Sequence, residues 1–120
     1  MNFDFTEEQL MIRQAARDYA QRELIKDAIE RDDKAIFPNL HIKNLAELGF
    51  LGMLVGTKYD GGGMDTVSYV LAIEEISKVD SSVGVIISVN NSLVCFGIEA
   101  YGTEEQKEKW LKPLARGEKI

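Results

Sequence analysis

The stretch VGVIISVNNSLVCFGIEAY, residues 83–101, decides how the rest of the chain is interpreted. It is apolar on nearly every side and runs for 19 residues before Gly102. Its β-branched residues could also suit a buried strand, but this length favours a helix. Because a helix that is hydrophobic all round is usually buried, the pattern predicts a central helix in an all-α domain.

Polar residues interrupt this helix at Ser88, Asn90, Asn91 and Ser92. A buried amide without a partner costs ~1–3 kcal/mol, so these side chains need hydrogen bonds. One interpretation is a hydrogen-bond network between helices. The other is that this part of the helix borders a ligand cavity, and the sequence leaves both open.

Caps and helix breakers predict four further helices around the apolar one. Capping boxes begin two of them, at Thr6 and Thr103, and glycines end two. The predicted helices cover residues 7–31, 38–48, 65–79 and 104–116, with a glycine-rich loop over residues 50–64. About five helices joined by short connections predict one antiparallel, bundle-like domain over residues 1–120.

Composition narrows the classes of function. The net charge is −6 and the pI is about 4.8, which disfavours nucleic acid and anionic membrane surfaces as partners. No run of 18 uninterrupted apolar residues is present, so we expect no membrane span. The first residues lack the features of a secretory signal, and the single cysteine excludes an internal disulfide. We expect a cytoplasmic protein.

No set of residues forms a recognisable catalytic site. Glu74 and Glu75 are adjacent, so on a helix they point about 100° apart and are best interpreted as a solvated edge or a salt bridge. The glycines at 61–63 lack a nucleotide-binding spacing and are interpreted as a flexible connector. His41 is solitary, so we expect it to be exposed and expect no metal site, while Cys95 is expected to be buried and unreactive.

Four segments, in order, resemble the acyl-CoA dehydrogenase family, and most closely its short-chain, butyryl-CoA type. They are FTEEQLMIRQAARDYAQREL (5–24), ELGFLGMLV (47–55) with KYDGGGMD (58–65), YVLAIEEISKVDSSVGV (69–85) and YGTEEQKEKWLKPLARGEK (101–119). The last block is the most specific, because the glycine, the capping box, Trp110, Pro113 and Gly117 keep the family's order.

The resemblance implies an enzyme with an N-terminal helical domain, a middle β-domain and a C-terminal helical domain, carrying FAD and forming homotetramers. Such enzymes remove an α-proton and a β-hydride from an acyl-CoA and pass electrons to electron-transferring flavoprotein. We expect this chain to be the N-terminal domain, without the other two domains. It would then hold no catalytic or cofactor-binding residue, bind no FAD by itself and be inactive alone.

The resemblance also carries two sets of site residues. The middle of the helix at 83–101 would close the floor of the acyl pocket, through Val89, Asn90, Leu93 and Phe96. The electron acceptor would insert an apolar side chain between the helices predicted at residues 7–31 and 65–79, against Tyr19, Phe50, Met64, Ala72 and Ile73. Without the resemblance, Tyr19, Ala72 and Ile73 would be interpreted as core residues.

Two alternatives remain at this stage. One is a stand-alone helical module for protein interaction. The surface of such a module would be polar, whereas a domain cut from a larger protein would expose an apolar patch there. The other is a relative, such as an acyl-CoA oxidase, that delivers electrons to oxygen. The preferred acyl chain length is only weakly determined by this segment.

Overall fold

The computed structural model describes residues 1–120 and consists of helices and their connections. The helices are α1 (Glu7–Arg22), α2 (Ala28–Lys34), α3 (Asn39–Glu47), α4 (Thr66–Val79), α5 (Ser81–Tyr101) and α6 (104–115). Short 3-10 turns lie at Leu24–Lys26 and Thr57–Tyr59. The prediction of an all-α domain is confirmed.

The capped helix ends lie where the sequence places them. Thr6 and Thr103 each form a complete capping box with the glutamine three residues later. Asp65 caps α4 by accepting a hydrogen bond from the N–H of Ser68 at 2.7 Å. Gly49 and Gly117, which follow α3 and α6, have positive φ angles of 85° and 73°, as expected for residues that end a helix.

The first predicted helix is broken, and the prediction that it runs to Arg31 is wrong. Helix α1 ends at Arg22, and a separate helix α2 begins at Ala28. The break buries Leu24 completely and directs Arg31 toward Asp80, which lies between α4 and α5. No proline or glycine marks this break, so contacts with distant residues are its physical cause.

Helices α1 and α4 lie side by side and run in the same direction. Gln9 donates a hydrogen bond to Asp65 near the start of both helices, and Arg17 meets Glu75 further along. Ala16 and Ala20 are completely buried in this contact, where small side chains let the helices approach closely. The main core extends from here to α3, α5 and Phe50.

Helices α4 and α5 form an antiparallel hairpin. Asp80 is the only residue between them and caps α5, its carboxylate accepting a hydrogen bond from the N–H of Val83 at 3.2 Å. A Cβ atom at Gly84 would overlap the Ser77 side chain. The glycine therefore sets how closely the two helices cross.

The glycine stretch at 61–63 is not a flexible connector, and that prediction is wrong. The N–H of Gly62 donates to the carbonyl of Gly52, and the N–H of Gly63 donates to that of Val55, both at 2.8 Å. A Cβ atom at Gly61 would overlap the carbonyl and side chain of Val55. The stretch is glycine-rich because two backbone segments pack against each other here.

Helix α5 also has the length and composition of a membrane span, with a mean hydropathy of 1.6. A helix from the core of a domain can meet the same criteria. Two of its residues, Asn90 and Asn91, are buried and hydrogen-bond into this domain. The expectation that no segment spans a membrane stays a prediction.

Candidate functional site: the apolar face of α5

One face of α5 is apolar and uncovered. Val85, Val89, Leu93 and Phe96 follow one another at helical spacing and are 59%, 39%, 69% and 58% exposed. The prediction of a helix buried all round is therefore wrong for this face within the 120 residues. A contiguous exposed apolar surface of this kind is typical of a site that binds another apolar surface or ligand.

The opposite face of α5 is held by two asparagines. Asn91 donates to the carbonyls of Phe50 and Ile87 at 2.9 and 3.0 Å, and its side-chain oxygen accepts from the N–H of Leu54 at 3.3 Å. The Asn90 amide donates to the carbonyls of Leu51 and Leu114. The predicted hydrogen-bond network between elements is thus present.

These asparagines lie in a π-helical segment, Val89–Cys95. Single π-turns inside α-helices are often found at functional sites. Here the segment presents Val89 and Leu93 to the exposed side while both asparagines point into the domain. One segment therefore carries both the network that ties α5 to the domain and part of its apolar face.

A groove of about 250 Å³ adjoins the exposed face. The residues that line it include Phe37, Val89, Asn90, Leu114 and Ile120. No side chain that lines it can ionise. The groove can bind an apolar group through burial, but it supplies no acid, base or nucleophile.

The four predicted pocket residues therefore differ in position. Val89, Leu93 and Phe96 lie on the exposed face, whereas Asn90 is only 3% exposed. The assignment of all four to an acyl pocket stays a prediction.

The predicted docking residues gather around the main core. Phe50 and Ala72 are buried, and the partly buried Tyr19, Met64 and Ile73 pack against the same core. Helices α1 and α4 contribute three of these residues, so the packing of these helices brings distant parts of the sequence together. The docking role itself stays a prediction.

His41 is buried, and the prediction of an exposed histidine is wrong. It is 7% exposed, its Nδ1 lies 2.8 Å from the Tyr19 hydroxyl and its Nε2 lies 2.9 Å from an Asp27 carboxylate oxygen. Burial raises the pKa of Tyr19, mainly because the phenolate would be desolvated. This cluster was missed because its partners are 22 and 14 residues from His41 and no local pattern links them.

The surroundings of Glu75 and Cys95 indicate structural roles for both side chains. The Glu75 carboxylate is 3% exposed and accepts two hydrogen bonds from Arg17, which lower its pKa. This agrees with the predicted salt bridge. Cys95 is completely buried, and desolvation raises its pKa to about 11, so the thiol is a poor nucleophile. No group of three metal-ligating side chains lies close enough together to hold a metal ion.

Comparisons with known proteins agree with this architecture. The sequence model described as "Acyl-CoA dehydrogenase, N-terminal domain" matches residues 6–118. The short-chain specific acyl-CoA dehydrogenase of Clostridium acetobutylicum is 43% identical over 120 residues, which are 100% of this chain and 32% of that protein.

Two solved structures have the same fold over this segment. Butyryl-CoA dehydrogenase from Megasphaera elsdenii matches with a TM-score of 0.93 and 39% identity, over 100% of this chain and 32% of the other. A chain in a structure described as the electron-transferring flavoprotein of Acidaminococcus fermentans matches with a TM-score of 0.93 and 43% identity, over 98% of this chain and 31% of the other. The chain thus spans about a third of the length of the proteins that it matches.

Proposed function

This chain belongs to the acyl-CoA dehydrogenase family, and on that premise we propose that it is the helical N-terminal domain of a dehydrogenase that oxidises short-chain acyl-CoA to 2-enoyl-CoA. The parent enzyme would depend on FAD. The role of this domain would be to close the acyl pocket and to pack against the other domains, and the 120 residues would be inactive alone.

The observation that carries this proposal is the uncovered apolar face of α5. A short acyl chain is apolar, and burying it gains roughly 0.8 kcal/mol for each methylene group. Val89 and Leu93 offer that surface, and no charged side chain lines the adjoining groove. A face with these properties suits the wall of an acyl pocket better than it suits a catalytic centre.

The glycine-rich segment of this chain does not offer a cradle for the phosphates of FAD. The most glycine-rich segment could only hold phosphate through free N–H groups, and those of Gly61, Gly62 and Gly63 already donate to carbonyls at 2.8–3.2 Å. FAD, which accepts a hydride when bound, would therefore be held by other parts of the parent enzyme.

The proposed partners follow from the same family membership. Electron-transferring flavoprotein would dock at the surface formed by Tyr19, Met64 and Ile73, with Phe50 and Ala72 beneath it. The parent enzyme would be a cytoplasmic homotetramer. We propose no contact with nucleic acid, membrane or metal.

The apolar face also bears on the stand-alone module. A domain selected to exist alone is expected to replace such a face with polar residues, and this chain keeps valine, leucine and phenylalanine there. The face therefore favours a domain of a larger enzyme. An oxidase relative would differ in its electron acceptor, and production of hydrogen peroxide from butyryl-CoA would identify it.

The acyl-wall role is tested in the native protein that contains this chain by Leu93→Trp. The larger side chain shortens the pocket, so turnover of longer acyl-CoAs should fall more than turnover of butyryl-CoA. The matched control is Leu40→Trp, since Leu40 is 67% exposed compared with 69% for Leu93 but lies on α3. An unchanged chain-length profile in the Leu93 variant would remove this residue from the pocket wall.

A further inference from the structure

A continuous chain of polar contacts joins three helices of the domain to the junction between α4 and α5. The Tyr19 hydroxyl on α1 meets His41 on α3, and His41 meets Asp27 at the start of α2. Asp27 also pairs with Arg31 at 3.2 Å, and Arg31 pairs with Asp80 at 2.6 Å. The side chains of His41, Arg31 and Asp80 are each at least nine-tenths buried.

With a neutral imidazole, the Asp27 carboxylate sets the direction of both hydrogen bonds of His41. A carboxylate only accepts hydrogen bonds, so the Nε2 of His41 donates to Asp27. In a neutral imidazole the other nitrogen is then an acceptor, and it accepts the proton of the Tyr19 hydroxyl. The Tyr19 oxygen in turn accepts from the Asn44 amide at 3.2 Å. The Tyr19 hydroxyl and both ring nitrogens of His41 are therefore satisfied in one arrangement.

This arrangement fixes the ring of Tyr19 as well as its hydroxyl. A tyrosine without a partner could turn about its side-chain bonds, whereas two hydrogen bonds at the tip hold the ring in one position. The rings of Tyr19 and His41 also meet edge to face, with centroids 5.9 Å apart and planes at 82°. Tyr19 is thus held in place, partly buried against the main core.

We propose that His41, held by Asp27, is a positioning residue for Tyr19. It keeps the Tyr19 ring in the orientation that an electron-accepting protein docks against. This inference rests on the proposed function, because it concerns how tightly the proposed docking surface binds the electron-accepting protein. A ring fixed before binding lowers the entropy cost of association. The partner is a protein that inserts an apolar side chain between α1 and α4.

The test uses the native enzyme and compares two electron acceptors. With electron-transferring flavoprotein, Tyr19→Phe and His41→Leu should each raise KM about three- to tenfold, the size expected when one side chain must be ordered on binding. With a small artificial acceptor, which needs no docking surface, kcat and KM should stay unchanged. The double variant should be no worse than either single one, because both break the same contact.

Two further variants separate positioning from general stability. Glutamine supplies one acceptor and one donor, so His41→Gln should restore most of the affinity lost in His41→Leu. Tyr59→Phe removes another partly buried hydroxyl, bonded to Glu104 at 2.9 Å, and should leave the KM for the protein acceptor unchanged. Tyr19→Phe and His41→Gln keep the test decisive if His41→Leu does not fold.

The outcomes distinguish this inference from the proposed function. An unchanged KM for electron-transferring flavoprotein in Tyr19→Phe and His41→Leu would overturn the positioning role. An equal loss with both acceptors would overturn it too, since it would reflect damage to the fold. A wild-type enzyme that butyryl-CoA does not reduce would overturn the proposed function, and the docking role with it.

Discussion

Replacing Asn91 with alanine gives the sharpest test of how α5 is held in place. Asn91 is completely buried and bridges α5 to the segment that follows α3. Alanine keeps the helix but removes both the donor and the acceptor of the side chain. The carbonyl of Phe50 and the N–H of Leu54 then lose the partners that Asn91 supplies.

The size of the effect follows from these two groups. A buried polar group left without a partner costs ~1–3 kcal/mol, so two such groups give roughly 2–6 kcal/mol. The bond from Leu54 is long, at 3.3 Å, so its loss belongs at the lower end. We therefore expect a decrease of about 2–4 kcal/mol in the free energy of unfolding, a large share of the ~5–15 kcal/mol typical of a domain.

Urea unfolding of the 120-residue chain, followed by far-UV circular dichroism and by Trp110 fluorescence, measures this change. The matched control is Asn39→Ala, because Asn39 is exposed and its side chain makes no hydrogen bond within the protein. The control should change the free energy by less than about 0.5 kcal/mol. A similarly small change for Asn91→Ala would refute the account of α5.

Three further experiments test separate parts of the structure. The pKa of Glu75 is lowered from 4.5 by its arginine partner, so Glu75→Gln should destabilise the chain at pH 7, and this cost should disappear as the pH falls through the lowered pKa. Urea unfolding at pH 7 and at a pH below the lowered pKa measures this cost, with the exposed Glu74→Gln as control. A cost that does not depend on pH would contradict the ion pair. Cys95, with its pKa near 11, should resist iodoacetamide at pH 8 in the folded chain and react in urea; rapid alkylation without urea would contradict its burial. Gly61→Ala should cost about 1–3 kcal/mol through overlap with the neighbouring backbone, whereas Gly97→Ala, with open space around it, should stabilise α5 by roughly 0.5–1 kcal/mol; equal melting temperatures for the two variants would contradict this difference.

Features that depend on neighbouring residues were predictable from the sequence. The capping boxes at Thr6 and Thr103, the Asp65 cap and the glycines at 49 and 117 each act within a few residues, and the structure places helix ends at all of them. Cys95 was also placed correctly in the core, because it lies in an apolar run.

Features that depend on distant partners were not predictable. The break between α1 and α2 results from contacts of Leu24 and Arg31, and the second of these reaches Asp80, 49 residues further along (80 − 31). The burial of His41 depends on Tyr19 and Asp27 in the same way. A solitary histidine gives no sequence signal of such partners.

Helix α5 was predicted from the sequence, but the exposure of its apolar face was not. Apolar residues all round α5 indicated burial, whereas the 120 residues cover only one side of it. An apolar residue indicates a side chain that is covered. It does not indicate whether the covering surface lies within these 120 residues or elsewhere. Val89, Leu93 and Phe96 came from the family resemblance, and helical spacing then explains why they share one face.

The most direct test of the central claim is anaerobic addition of butyryl-CoA to the purified native protein that contains this chain, with the flavin absorbance followed in time. The account predicts a yellow protein whose flavin band bleaches on addition of butyryl-CoA. It also predicts that Leu93→Trp slows this bleaching for longer acyl-CoAs more than for butyryl-CoA. A colourless protein, or a flavin that no acyl-CoA reduces, would contradict the assignment of this domain to an acyl-CoA dehydrogenase reaction.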